Sequence, residues 1–273
     1  MNIVPKKDEI HIREVWSDNL DREFGLIREI VDKYPYIGMD TEFPGVVIKP
    51  LDPSKNRSVA NYQSLKANVE ILNLIQLGLT FSDENGTLPT CGTGKYCVWQ
   101  FNFREFNLTK DAYASDSIDL LINSGIDFEK NNQKGVDIER FSELLMSSGV
   151  VMNDNIRWLS YHSGYDFGYL LKLLTCKDLP DTIEGFFDML GLYCPVIYDI
   201  KHLVREKYHG GLSSLAEVLD VERVGSCHQA GSDSLLTCFV FFKLTKIHYG
   251  GSMEKYAAGE LYGLVAEPSL ATR

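Results

Sequence analysis

The chain has 273 residues, 44% of them hydrophobic and 24% charged, with a formal net charge of −11. That length and apolar content support one full core, and no linker-like or low-complexity stretch divides the chain, so a single domain over 1–273 is expected. The acidic balance argues against a protein that grips a long duplex through clustered Lys and Arg, but not against an enzyme that holds a chain end through bound cations.

Lys6, Lys7, Asp8 and Glu9 stand where a secretory leader needs an apolar stretch. The longest apolar run, about 235–242, falls short of the roughly 18 residues of a membrane span. A soluble, unexported protein of the cytoplasm and nucleus, with no membrane partner, is expected. Cys91, Cys97, Cys176, Cys194, Cys227 and Cys238 show neither Cys-x-x-Cys pairs nor His partners at zinc spacing. Reduced thiols are therefore expected rather than a disulfide framework or a structural zinc site.

In chain order, Phe24, Ile27 and Ile30 mark one helical face and lead through Tyr34-Pro35 into a strand at 36–43. In that strand Asp40 and Glu42 share a face, while Met39 and Thr41 point the other way. Two carboxylates side by side repel each other, and a divalent cation is the simplest relief. Asp-x-Glu alone is weak, since it arises by chance about once in a chain of this kind, and a solvated edge strand would also carry it.

The polar, Pro-containing stretch 49–62 reads as a loop. Segments 69–81 and 96–103 read as strands joined by the turn-rich 82–95, which makes an antiparallel meander of three strands. Gly92-Thr93-Gly94-Lys95 reads as a turn and not a phosphate loop, because Pro89 holds the first glycine position and Tyr96 replaces the hydroxyl residue. Helices follow at 117–123 and 138–147, a strand at 158–162, helices at 167–174 and 183–190, and a strand at 196–199. Further helices are expected at 200–207 and 215–219, and a long final one at about 229–247, where Phe239, Phe241 and Phe242 read as core. A meander followed by αβ units is the order of the α/β ribonuclease H-like fold, a mixed central sheet of antiparallel then parallel strands flanked by helices.

Two more acidic residues sit in apolar settings. Asp166 falls where a strand gives way to a helix, a place where an N-cap aspartate is also common. Asp233 stands one turn into the final helix, where the helix dipole alone would favour it. His228 precedes it by five residues, about 140° around a regular helix, and so belongs to the loop before that helix. From there an imidazole, with an ordinary pKa near 6.5, suits removal of a proton from water.

Asp40-Thr41-Glu42-Phe43-Pro44-Gly45, Ile75-Gln76-Leu77-Gly78-Leu79-Thr80-Phe81, His162-Ser163-Gly164-Tyr165-Asp166-Phe167-Gly168-Tyr169-Leu170 and His228-Gln229-Ala230-Gly231-Ser232-Asp233-Ser234-Leu235-Leu236-Thr237 together resemble the Caf/Pop family of messenger-RNA deadenylases. That family lies within the H-type branch of the DEDD 3′–5′ exonucleases, and the resemblance covers a core of about 12–264. It implies that Asp40, Glu42, Asp166 and Asp233 are the four metal-binding acids and His228 the catalytic histidine. It further implies two divalent ions, Mg²⁺ before Mn²⁺, with Asp40 bridging both, Glu42 and Asp233 completing the first, and Asp166 holding the second directly or through water.

The expected activity is stepwise release of 5′-AMP from the 3′ end of poly(A) RNA. Phe43 is a candidate to bind the terminal nucleotide, with a core role as the alternative. Implied partners are a NOT-type scaffold subunit, a leucine-rich-repeat nuclease subunit and antiproliferative adaptor proteins, as in a CCR-NOT deadenylase complex. Two alternatives stand beside this reading: a bridging adaptor subunit with little activity, and a nuclease of the same chemistry acting on DNA or short RNA.

Overall fold

The structure, a computed structural model, describes residues 7–50, 56–250, 253 and 259–264. After a short 3₁₀ turn at Lys7–Glu9 come β1 (Ile10–Val15), α1 (Leu20–Ile30), β2 (Tyr36–Glu42), α2 (Arg57–Ile71), β3 (Gln76–Ser82) and β4 (Tyr96–Asn102). The chain continues through α3 (Ser115–Ser124), α4 (Phe128–Lys134), α5 (Ile138–Met146), β5 (Arg157–Ser160), α6 (Gly164–Thr175) and α7 (Ile183–Tyr193). It then forms β6 (Ile197–Asp199), α8 (Ile200–Val204), α9 (Leu212–Val218) and α10 (Ala230–His248). Among the described residues no helix is long and apolar enough to cross a membrane.

The six strands form one sheet in the order β1-β4-β3-β2-β5-β6. β2, β3 and β4 are the expected antiparallel meander, while β5 and β6 add parallel to β2, giving the mixed ribonuclease H-like sheet. One face is covered by α1, α2, α5, α6 and α7, where Phe24, Phe101, Phe103 and Phe141 interlock with ring centroids 4.9–5.5 Å apart. The other face carries α10 and α9. α10 is buried nearly all round, as a helix lacking a polar face must be, and Phe239, Phe241 and Phe242 lie in that core.

Three features depart from the expected elements. Residues 57–62 are helical, and the β-like run from 69 begins as the end of α2, so β3 starts only at Gln76; residues 51–55 of the expected loop lie outside the described residues. α2 hides from pattern reading because polar side chains occupy its buried face. Asn68 accepts from the Val47 and Ile48 N–H groups (2.8 and 2.9 Å) and donates to the Ile48 carbonyl (2.7 Å), which Ser64 also bonds. These bonds satisfy groups whose burial would otherwise be costly, and they blur the apolar period.

The second departure is β1, a strand the sequence reading lacks, which pairs parallel to β4. Its charged residues conceal it: Arg13 is buried because Glu23 of α1 meets its guanidinium through two hydrogen bonds (2.6 and 2.7 Å), and Trp99 donates to the same carboxylate. The third is α4, a helix of seven residues that carries little periodicity.

α10 crosses β2 and β3 at two glycines. A Cβ at Gly38 would stand 2.5 Å from the Ser234 carbonyl oxygen, and one at Gly78 would overlap the Ala230 carbonyl. The helix therefore lies against bare backbone, which brings its first turn down onto the end of β2. Gly78→Ala is expected to cost at least about 1–3 kcal/mol through overpacking against a helix that cannot yield locally. Chemical denaturation would check this, with an unchanged midpoint counting against the close approach.

Candidate active site

The site forms where three elements end. β2 runs out at Glu42, with Asp40 opposite Gly78 and Glu42 opposite Gln76. α10 begins immediately above, and its first turn carries Asp233. Carboxylate oxygens of Asp40, Glu42 and Asp233 all lie within 4.8 Å of one another. Asp166 arrives from the opposite face of the sheet in the first turn of α6, and its Oδ1 accepts from the Thr41 N–H (2.8 Å) and hydroxyl (2.6 Å). Thr41, pointing away from Asp40 and Glu42, is thus the clamp that holds the fourth carboxylate at the strand end.

The N-cap position of α6 is Ser163, so Asp166 is not an N-cap. It stands outside the close trio but near enough that its charge acts on Asp40 and Glu42. Burial first, then Asp233 and Asp166, pushes the Asp40 and Glu42 carboxyls well above the usual carboxylate range, against a smaller opposing effect of Arg223. Asp166 is pushed up to about 6 by burial, partly offset by the Thr41 hydrogen bonds.

Hydrogen bonds from the loop before α10 position Asp233. Arg223 donates to its Oδ1 (2.6 Å), and the His228 N–H donates to its Oδ2 (2.8 Å). His228 lies in the loop before α10, as expected, in a left-handed backbone conformation (φ +60°), with an exposed side chain. α10 has no side-chain N-cap of its own. Its first N–H groups bond instead to amides of the sheet, Ala230 to Gln76 Oε1 (3.2 Å) and Gly231 to Gln100 Oε1 (2.8 Å).

Phe43 is half-buried and stacks on Tyr165 (centroids 5.0 Å, planes 15° apart) and against Tyr169 (5.2 Å), so an aromatic wall flanks the cluster. Arg223, Thr41, Gln76 and Gln100 are site residues the sequence reading missed. Arg223 meets a partner ten residues on, and Thr41, Gln76 and Gln100 meet partners 125, 154 and 131 residues away, contacts that the residue types alone do not signal.

An all-oxygen donor set, crowded and short of positive charge, fits a hard divalent cation such as Mg²⁺ or Mn²⁺. Among the described residues, Arg223 is the cation that acts on both Asp40 and Glu42. Without metal, the raised pKa of Asp166 gives a stabilising contribution that is fully present below about pH 4 and is lost as pH rises through about 6. In chelator, Asp166→Asn should therefore melt above the wild type at neutral pH, with the gap closing under acid conditions. Parallel melting curves across that range would contradict the assigned strain.

Residues 15–147 match the family described as CAF1 family ribonuclease. Probable CCR4-associated factor 1 homolog 7 of Arabidopsis thaliana is 62% identical over 270 residues, covering 98% of each chain. Poly(A) ribonuclease pop2 of Schizosaccharomyces pombe is 46% identical over 93% of this chain and 75% of its own. Among solved structures, the Mg²⁺- and Mn²⁺-bound form of S. pombe Pop2p superposes with a TM-score of 0.88 at 45% identity, covering 94% of this chain and all of that one. CAF1 co-crystallised with the yeast NOT1 MIF4G domain superposes with a TM-score of 0.76 at 33% identity, covering 95% and 99%. With the acidic trio, the histidine loop and the sheet order all in place, the chain belongs to the CAF1 family of ribonucleases.

Proposed function

We propose that this chain is a metal-dependent 3′–5′ exoribonuclease that shortens poly(A) tails of messenger RNA and releases 5′-AMP, acting as one domain over 1–273 in the cytoplasm and nucleus. The observation that carries this reading is the meeting of Asp40, Glu42 and Asp233 oxygens within 4.8 Å, beside a loop histidine. The relative named as a poly(A) ribonuclease supplies the substrate. Asp40, Glu42 and Asp233 would hold one divalent ion and Asp166, with Asp40, a second. When bound, the ions lower the pKa of an attacking water and offset charge on the leaving 3′ oxygen.

The protein side chains do the rest. His228, exposed and anchored through its own N–H to Asp233, takes the proton from the attacking water. Arg223 holds the Asp233 carboxylate in place through a charge-assisted hydrogen bond. The ring of Phe43, backed by Tyr165 and Tyr169, is rigid enough to stack on the terminal base. Docking on a NOT-type scaffold is proposed from the likeness to CAF1 in its NOT1 complex. A leucine-rich-repeat nuclease subunit and antiproliferative adaptors complete the proposed assembly.

Purified Asp40→Ala and Asp233→Ala proteins should release no AMP from an adenosine oligomer in Mg²⁺ or Mn²⁺ while keeping the wild-type circular dichroism. His228→Ala should lose about 10²–10⁴-fold in rate. Activity surviving in either aspartate variant contradicts the metal assignment. Rates on poly(A), poly(U) and deoxyadenosine oligomers should fall in that order, and equal rates would contradict poly(A) as the substrate.

A further inference from the structure

The loop that feeds α10 brings a thiol to the same aspartate that the carboxylate cluster uses. Cys227 Sγ, a ring nitrogen of His228 and a carboxylate oxygen of Asp233 lie within 4.8 Å of one another. We infer that Cys227, His228 and Asp233 form a second cation site, selective for thiophilic divalent ions of the zinc class, whose occupation shuts off the nuclease centre. The sulfur, nitrogen and oxygen donors form a borderline-soft set of the kind zinc takes, with a fourth position left for water. Mg²⁺ favours oxygen ligands and would leave this site alone.

Three observations make this more than a cysteine near a histidine. The left-handed backbone at His228 lets its N–H bond Asp233 while two consecutive side chains gather at the same carboxylate. Both side chains are exposed, and they border a surface depression lined by Asp116, Asp119 and Asn123 of α3, which gives a hydrated cation an acidic approach. Outer contacts also link the ligands. The Ser213 hydroxyl lies 3.9 Å from Cys227 Sγ and accepts from Arg223 Nη2 (3.1 Å), while Nη1 of the same guanidinium holds Asp233. Such outer hydrogen bonds fix ligand orientation and raise affinity.

On binding, the Cys227 thiol gives its proton to solvent and the thiolate sulfur becomes a ligand. The His228 nitrogen is then no longer free to accept a proton from water, and Asp233 is shared with the new ion. The inhibition rests on the nuclease reading above, but the binding does not.

The test uses the full chain with Co²⁺ as the spectroscopic stand-in for zinc, in wild type and Cys227→Ser, without substrate. Wild type should show sulfur-to-cobalt charge-transfer absorption that the serine variant lacks. In saturating Mg²⁺ the variant should release AMP at the wild-type rate, yet need at least about tenfold more Zn²⁺ for half-inhibition. Absence of the absorption in wild type, equal absorption in both proteins, or unchanged zinc sensitivity overturns the inference. Because the absorption requires no turnover, an inactive protein would sink the nuclease reading without deciding this one.

Discussion

Repulsion among crowded carboxylates, which either a bound cation or protonation must relieve, is the constraint on which this structure is organised. Two unit charges about 4 Å apart interact by roughly 4 kcal/mol at the effective dielectric of a protein surface. Oxygens of Asp40, Glu42 and Asp233 lie within 4.8 Å of one another, and the charges of Asp233 and Asp166 add to burial in raising the Asp40 and Glu42 carboxyls. Arg223 offsets part of this. The remaining charge defect is the functional property, because a site already neutralised by protein would have no affinity for metal.

The fold holds this unfavourable arrangement by fastening each contributor from elsewhere. Asp40 and Glu42 are fixed by register against β3 at the end of β2, a central strand of the sheet. Asp233 is fixed because α10 seats into two glycines and because Gln76 and Gln100 supply the hydrogen bonds its first turn lacks. Asp166 is fixed by Thr41, the residue between the two strand acids. The two helices that contribute acids lie on opposite faces of the sheet, so the cluster sits at the sheet's end, where substrate can reach it.

Much of this was legible in the residues. The alternation of β2, the order of meander and αβ units, and the run from His228 to Asp233 each carry a local signal, and the convergence followed from family resemblance. What stayed hidden was polar burial satisfied over long range. α2 is masked by Ser64 and Asn68, whose partners lie in the segment 47–48, and β1 is masked by Arg13, whose partner is in α1. Arg223 and the two sheet glutamines are unremarkable in sequence because their meaning comes from the carboxylate or helix end they meet in space. Cys227 and His228 escaped notice as a donor pair because adjacent residues do not match zinc-motif spacing, and only the turn at His228 brings them together.

The most direct test of the central claim is anomalous diffraction from crystals of the wild-type protein soaked in Mn²⁺. Strong anomalous peaks within ligand distance of Asp40, Glu42 and Asp233, with a second peak toward Asp166, are the predicted result. A cluster that stays free of anomalous density at saturating Mn²⁺ would contradict it.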